Sequence, residues 1–171
     1  MRGWLIVLAG LATGCARDLV PRTPSAGSVV LREEVVIAAT PEQVWAVLVD
    51  LPAYARWNPW LLRADGEAAV GATVWAEVVL GEQRRRAKHK VLAVDPATRF
   101  CWRDAGWTTA FVYGQRCRWL APRADGTVLF RQELLLEGTS KQMALRRYGP
   151  ALRAGMAAET AALRRRVEGG R

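Results

Sequence analysis

The sequence predicts an α+β domain in which one curved antiparallel β-sheet wraps around a long C-terminal α-helix, with two short helices after the first strand. Three observations predict it. Apolar residues alternate in short runs punctuated by turn residues from Val29 to Glu137, the pattern of successive strands in one antiparallel sheet. Beyond Pro150 the spacing changes to a helical one, with Leu152, Met156, Thr160, Leu163 and Val167 on a single stripe. Between the first strand and the rest lies Thr40–Trp60, TPEQVWAVLVDLPAYARWNPW, which opens like a helix: Thr40 caps, Pro41 suits the first turn and Gln43 completes a capping box.

Met1–Cys15 reads as a leader. Arg2 supplies the positive end, Leu5–Leu11 a short apolar run, and Ala12-Thr13-Gly14 small residues before Cys15. The run is too short to span a bilayer, which takes about 20 residues. The ending resembles a bacterial lipobox, although Leu11 sits one place earlier than usual, and it makes Cys15 the expected lipidation site. An ordinary cleaved leader is the alternative. Ala16 in place of an aspartate favours the outer membrane by analogy with lipoprotein sorting, on the periplasmic side of the cell envelope. The expected organisation is a leader over 1–14, acylated Cys15 with a flexible tether over 15–28, one domain over 29–168 and a tail over 169–171.

Within the domain, Val29–Ala38 is the first strand, with Leu31, Val35 and Ile37 on one face. Val44, Val47, Leu48 and Leu51 give the following helix an apolar side, and a second short turn runs from Pro52 to Trp57 before Asn58-Pro59. Leu61–Ala64, Thr73–Leu80, Arg84–Val94, Thr98–Arg103, Thr109–Leu120 and Thr127–Glu137 are the remaining strands. Thr139 with Gln142 offers another capping box, and Pro150 is expected to begin the main C-terminal helix.

The residues Pro41, Glu42, Val44, Trp45, Asp50, Tyr54, Trp57, Asn58 and Pro59 resemble a helix start and D-x-x-x-Y-x-x-W-x-P segment of the START/polyketide-cyclase (SRPBCC) superfamily. The similarity continues through Gly71, Val91–Pro96, Asp125-Gly126-Thr127 and Ala162–Glu168. The resemblance implies the helix-grip fold and a cavity between sheet and C-terminal helix. It implies less about function, because the superfamily includes lipid carriers, cyclases and regulators.

Bulky strand residues Phe100, Trp102, Phe111, Tyr113, Phe130 and Leu134 are expected to wall such a cavity, with Met156 on the helix and Tyr54, Trp57 and Trp60 as a mobile rim. The other outcome is that these rings meet in a solid core. His89 is the only histidine and, with Tyr113 and Gln132, supplies the candidate polar or catalytic groups. No metal-ligand set, nucleophile elbow, P-loop or dinucleotide glycine pattern is present, so no cofactor is expected.

Cys101 is expected on the outer face and Cys117 on the inner one with Phe111 and Tyr113, which leaves both as free thiols. The formal net charge of +9 comes almost wholly from arginine, the only lysines being Lys88, Lys90 and Lys141. The clusters at Arg84–Arg86, Arg146-Arg147 and Arg164–Arg166 are expected to be solvated or to touch anionic lipid; nucleic acid is not an expected partner. The preferred reading is a membrane-anchored binding protein for a lipid or other hydrophobic small molecule. A cyclase/dehydratase-like enzyme and a partner-binding domain without a cavity are the alternatives.

Overall fold

The computed structural model describes residues 19–169, so the leader and Cys15 lie outside the described residues. Seven strands form one antiparallel sheet in the order β1-β7-β6-β5-β4-β3-β2. They are β1 (Val29–Ile37), β2 (Leu61–Asp65), β3 (Thr73–Leu80), β4 (Gln83–Asp95), β5 (Arg99–Asp104), β6 (Tyr113–Pro122) and β7 (Val128–Glu137). Helix α1 (Pro41–Val49) and a 3₁₀ turn (Leu51–Arg56) follow β1, and α2 (Lys141–Glu168) closes the chain. This is the helix-grip architecture.

Local chemistry explains the elements that hold the site. Thr40 Oγ1 accepts from the Gln43 amide while the Gln43 side chain accepts from the Thr40 amide, so both halves of the expected capping box form. Asn58 then does for the next turn what a cap does for a helix. Its Oδ1 accepts from the Trp60 and Leu61 amides at 3.0 and 2.9 Å, fixing the entry into β2.

Two expected boundaries move. Pro150 lies inside α2 and not at its start; the N-cap is Ser140, without a side-chain capping bond. The expected strand from Thr109 begins only at Tyr113, because Trp107–Ala110 forms a 3₁₀ turn. Gly138, at φ +99°, sits against the end of that turn, where a Cβ would come 2.4 Å from the Phe111 carbonyl oxygen. Only glycine fits.

The inner face of the sheet packs on α2 through Leu31, Val74, Phe100, Trp102, Leu134 and Met156, and a second cluster joins α1, Phe130 and Leu163. The outer face carries its own small cluster of Leu92, Ala93, Cys101 and Cys117. Cys101 and Cys117 are directly paired across β5 and β6, with Cα atoms 4.1 Å apart, and form a disulfide. The expectation of free thiols fails because Cys117 faces outward. Tyr113, Gln115, Cys117 and Trp119 share that outer side, whereas Gly114, Arg116, Arg118 and Leu120 point at the helix.

The segment expected to be a free tether is strapped over the outer face where it is described. The Gln115 amide accepts from Arg22 N–H and donates to the Arg22 carbonyl, at 2.8 and 3.0 Å. Arg22 also stacks on the Tyr113 ring and pairs with Glu137, which accepts from Ser28 as well. The Ser28 hydroxyl, then the Arg22 side chain, hold the Glu137 carboxyl below its usual range.

Candidate functional site

Glu159 is the centre of the inner face. It sits on α2 with no exposed surface, three residues after Met156 and four before Leu163, in the middle of the apolar stripe. Burying a lone carboxylate there would be prohibitive, and three donors answer it. Oε1 accepts from Arg118 Nη2 at 2.9 Å and from Asn58 Nδ2 at 3.1 Å; Oε2 accepts from Arg116 Nη1 at 3.1 Å. Two of the donors come from β6 and one from the turn before β2, so the cluster pins α2 to the sheet.

The charges do not balance. Two buried guanidinium groups share one buried carboxylate, and desolvation, only partly offset by Glu159, pulls Arg116 down to about 10. Arg116 remains a cation at neutral pH. Aromatic faces cover the excess charge: the Arg116 guanidinium lies 3.9 Å from the Trp60 ring centre and that of Arg118 4.5 Å from Trp102. Several donors in this layer have no partner in the protein, namely Arg116 Nε, Arg118 Nε and Nη1, and the indole nitrogens of Trp57, Trp60 and Trp102. Leaving one such group unmade costs about 1–3 kcal/mol.

His89 closes one end of the row. Its ring stacks on Trp102 with centroids 5.0 Å apart. Nδ1 lies 3.2 Å from Asp104 Oδ1 but out of line for a hydrogen bond, and both ring nitrogens lack a hydrogen-bond partner among the described residues. The Asp104 carboxylate is half exposed and lies over Gly114, where a Cβ would sit 2.2 Å from Oδ2. Tyr54 lies at the α1 side with its hydroxyl donating to the Leu48 carbonyl at 2.7 Å, and burial pushes its phenol up to about 12.

Between sheet and helix, Trp60 packs against α2. A Cβ on Gly155 would come 2.3 Å from Trp60 Nε1, so the indole lies directly on the helix backbone. Two recesses among the described residues open on the outer face. One, of about 410 Å³, is lined by Arg63, Asp65, Trp75, Glu77, Arg84 and Arg86. The other, of about 110 Å³, lies beside the strap and Cys117.

Residues 28–168 match the family model described as polyketide cyclase / dehydrase and lipid transport. The chain belongs to this family. It is thereby a member of the SRPBCC superfamily. Among solved structures, norcoclaurine synthase from Thalictrum flavum in complex with dopamine and hydroxybenzaldehyde is similar at 16% identity, covering 99% of each chain with a TM-score of 0.67. The Zhui aromatase/cyclase from Streptomyces sp. R1128 is 16% identical over 84% of this chain and 98% of its own, with a TM-score of 0.65. A START superfamily protein from Mycobacterium smegmatis is 19% identical over 83% and 99%, with a TM-score of 0.65. At these identities the likeness is one of fold. Among curated proteins, none matches the chain.

Within this family member, the structure brings together Tyr54, Trp57, Trp60, His89, Phe100, Trp102, Phe130, Gln132, Leu134 and Met156 on the helix side of the sheet. Tyr54 and Trp60 are fully buried, and Trp57 half-buried, so they form packed floor where a mobile rim was expected. Gln132 spends its amide on α2, donating to the Met156 carbonyl and Thr160 Oγ1 at 3.0 and 2.7 Å. Tyr113 is not with them; it faces outward beneath Arg22 and donates to Gln115. Phe111 is exposed on the turn before β6. Arg116, Arg118, Glu159 and Asn58 were not among the expected site residues, although the first three supply its charge and Asn58 a further donor. Among the described residues, no three or more His, Cys, Asp or Glu side chains gather as a metal site.

Proposed function

We propose that this chain binds an apolar small molecule bearing an anionic group, in the layer between α2 and the sheet. One observation carries the proposal: two buried guanidinium groups face a single carboxylate, with unpartnered donors beside them under aromatic walls. An anionic headgroup at Arg118 and Arg116 would neutralise the excess charge, while its apolar part replaces side-chain packing. Entry is under the first half of α2. There Pro150 removes the N–H that would bond the Arg146 carbonyl, and Met143 is exposed.

The same proposal places the protein on a membrane through acylated Cys15, on the periplasmic side of the envelope and at the outer membrane. The lipobox-like leader supports this, as does a buried disulfide suited to an oxidising compartment. Among the described residues no helix is long and apolar enough to cross a membrane. The mass of the mature N-terminus tests the anchor: acylated cysteine at residue 15 is expected, and an unmodified end contradicts it.

The ligand reading is tested with dodecanoate against dodecanol, two chains of equal length that differ in charge. Dodecanoate is expected to bind and to raise the melting temperature, with dodecanol at least tenfold weaker; equal binding overturns the anionic assignment. Convergence of His89, Glu159, Arg116 and Arg118 also favours a second reading, a cyclase-like enzyme using the same layer. His89→Phe keeps the ring stack but removes the base. A bound species whose mass changes with this substitution supports the enzyme, and an unchanged one supports the carrier.

A further inference from the structure

We propose that the bare half of the outer sheet face, β2 to β4, rests on an anionic bilayer surface, with the N-terminal strap setting that orientation. The inference relies on the acylated Cys15 reading and extends it from attachment to docking.

Three observations converge. First, the strap ends next to this face. Leu19 Cδ1 lies 3.6 Å from where a Gly71 Cβ would sit, in line with the outward residues Thr73 and Trp75 of β3. Four residue steps separate Leu19 from Cys15, and at about 3.6 Å per residue the acyl attachment lies within roughly 15 Å of Leu19. A domain leashed that closely cannot stand away from the membrane.

Second, the charge on this face is one-sided. Asp95 pairs with Arg99 at the far end of β4; over the rest of the face, cross-strand register places Arg63, Arg84, Arg86, Lys88 and Lys90 against Asp65 and Glu77. These last two acids pair with Arg63 and Arg84. Arg86 and Lys88 instead lie over Trp75, at 4.4 and 5.8 Å from its ring centre. The recess of about 410 Å³ has three arginines, Arg63, Arg84 and Arg86, against Asp65 and Glu77, with the Trp75 indole in its lining.

Third, the apolar exposure fits an interface. Trp75 is 37% exposed, and Val20 and Val70, 64% and 56% exposed, flank the Leu19–Gly71 contact. Indoles and basic side chains together are the composition of a membrane-surface contact. The other half of the outer face is covered by the strap itself.

The three lysines provide the test, since Lys88 and Lys90 lie on the proposed face and Lys141 starts α2 just past the end of β7, three strands away from β4. The full chain, purified from the membranes of an exporting bacterial host, is reconstituted on phosphatidylcholine vesicles with or without phosphatidylglycerol. Amine acetylation is then read at each lysine. On anionic vesicles, labelling of Lys88 and Lys90 is expected to fall about threefold or more, reversibly with salt, with Lys141 unchanged. Equal labelling on both vesicle types, or protection of Lys141 instead, overturns the docking. Flotation on neutral vesicles reports the acyl anchor alone, so a failed anchor is distinguishable from a failed face. The combined reversal Arg84→Glu, Arg86→Glu and Lys88→Glu should abolish the protection of Lys90 while leaving flotation intact; protection that persists counts against the face.

Discussion

The two faces of the sheet use the same residue in opposite ways. On the inner face Arg116 and Arg118 are desolvated, stacked on indoles and pinned to Glu159 with no solvent to screen them. On the outer face Arg84 and Arg86 are exposed, and the Arg84–Glu77 contact at 3.7 Å is long and open to water. An exposed pair contributes about 0–1 kcal/mol, whereas removing one partner of a buried pair costs about 3–5 kcal/mol. Burial, more than charge count, sets how strongly an unbalanced charge bears on the stability of the fold.

The sharpest way to break this comparison is Glu159→Gln, which leaves two buried cations facing a neutral amide. It should cost roughly 3–5 kcal/mol and lower the melting temperature by about 10 °C or more, while Asp65→Asn on the outer face changes stability by under about 0.5 kcal/mol. Calorimetric melting of both variants decides it; similar losses would erase the distinction between the faces.

Next in size is the outer face's own fastener. Replacing Cys101 and Cys117 by serine opens a loop of 16 residues' separation and should cost about 2–4 kcal/mol in urea unfolding. Glu159's contacts should survive that change, so the inner cluster remains formed.

Tyr54 sharpens the comparison through pH. Its folded phenol is raised to about 12 from an ordinary value of 10.0. Its contribution is complete below pH 10 and is lost as pH rises toward 12, a loss of about 2–3 kcal/mol. Arg116, lowered to about 10, works in the opposite sense, because the cost of burying its charge fades at high pH. Tyr54→Phe should therefore flatten the fall in stability between pH 10 and 12; an unchanged alkaline limb would show that the phenol is not held neutral. Smaller still, Gly155→Ala forces Trp60 off the helix and should cost about 1–3 kcal/mol, with a change in tryptophan fluorescence as the accompanying sign.

The fold was legible because its signals are local and agree with one another. The capping box at Thr40, the strand turns and the stripe from Leu152 to Val167 each name one element, and the family motif joins them. The site was less legible for a physical reason. Strand β6 is buried on both faces over Tyr113–Arg118, one side by α2 and the other by the strap, so alternation shows no wet side. Assigning the aromatic parity inward was the natural choice, and it placed Tyr113 and Cys117 on the wrong face. One signal was available: Glu159 interrupts an otherwise apolar helix stripe and demands cations opposite it, which the alternate arginines of β6 supply. The outward cysteines would then have followed.

The most direct measurement of the central claim is the thermal stability of Arg118→Met with and without dodecanoate. If Arg118 is the excess buried charge, the substitution leaves Glu159 matched by Arg116 and Asn58. Stability should then stay within about 1 kcal/mol of wild type or rise, and the stabilisation by dodecanoate should disappear. A loss as large as that of Glu159→Gln, or an undiminished response to dodecanoate, would contradict the account.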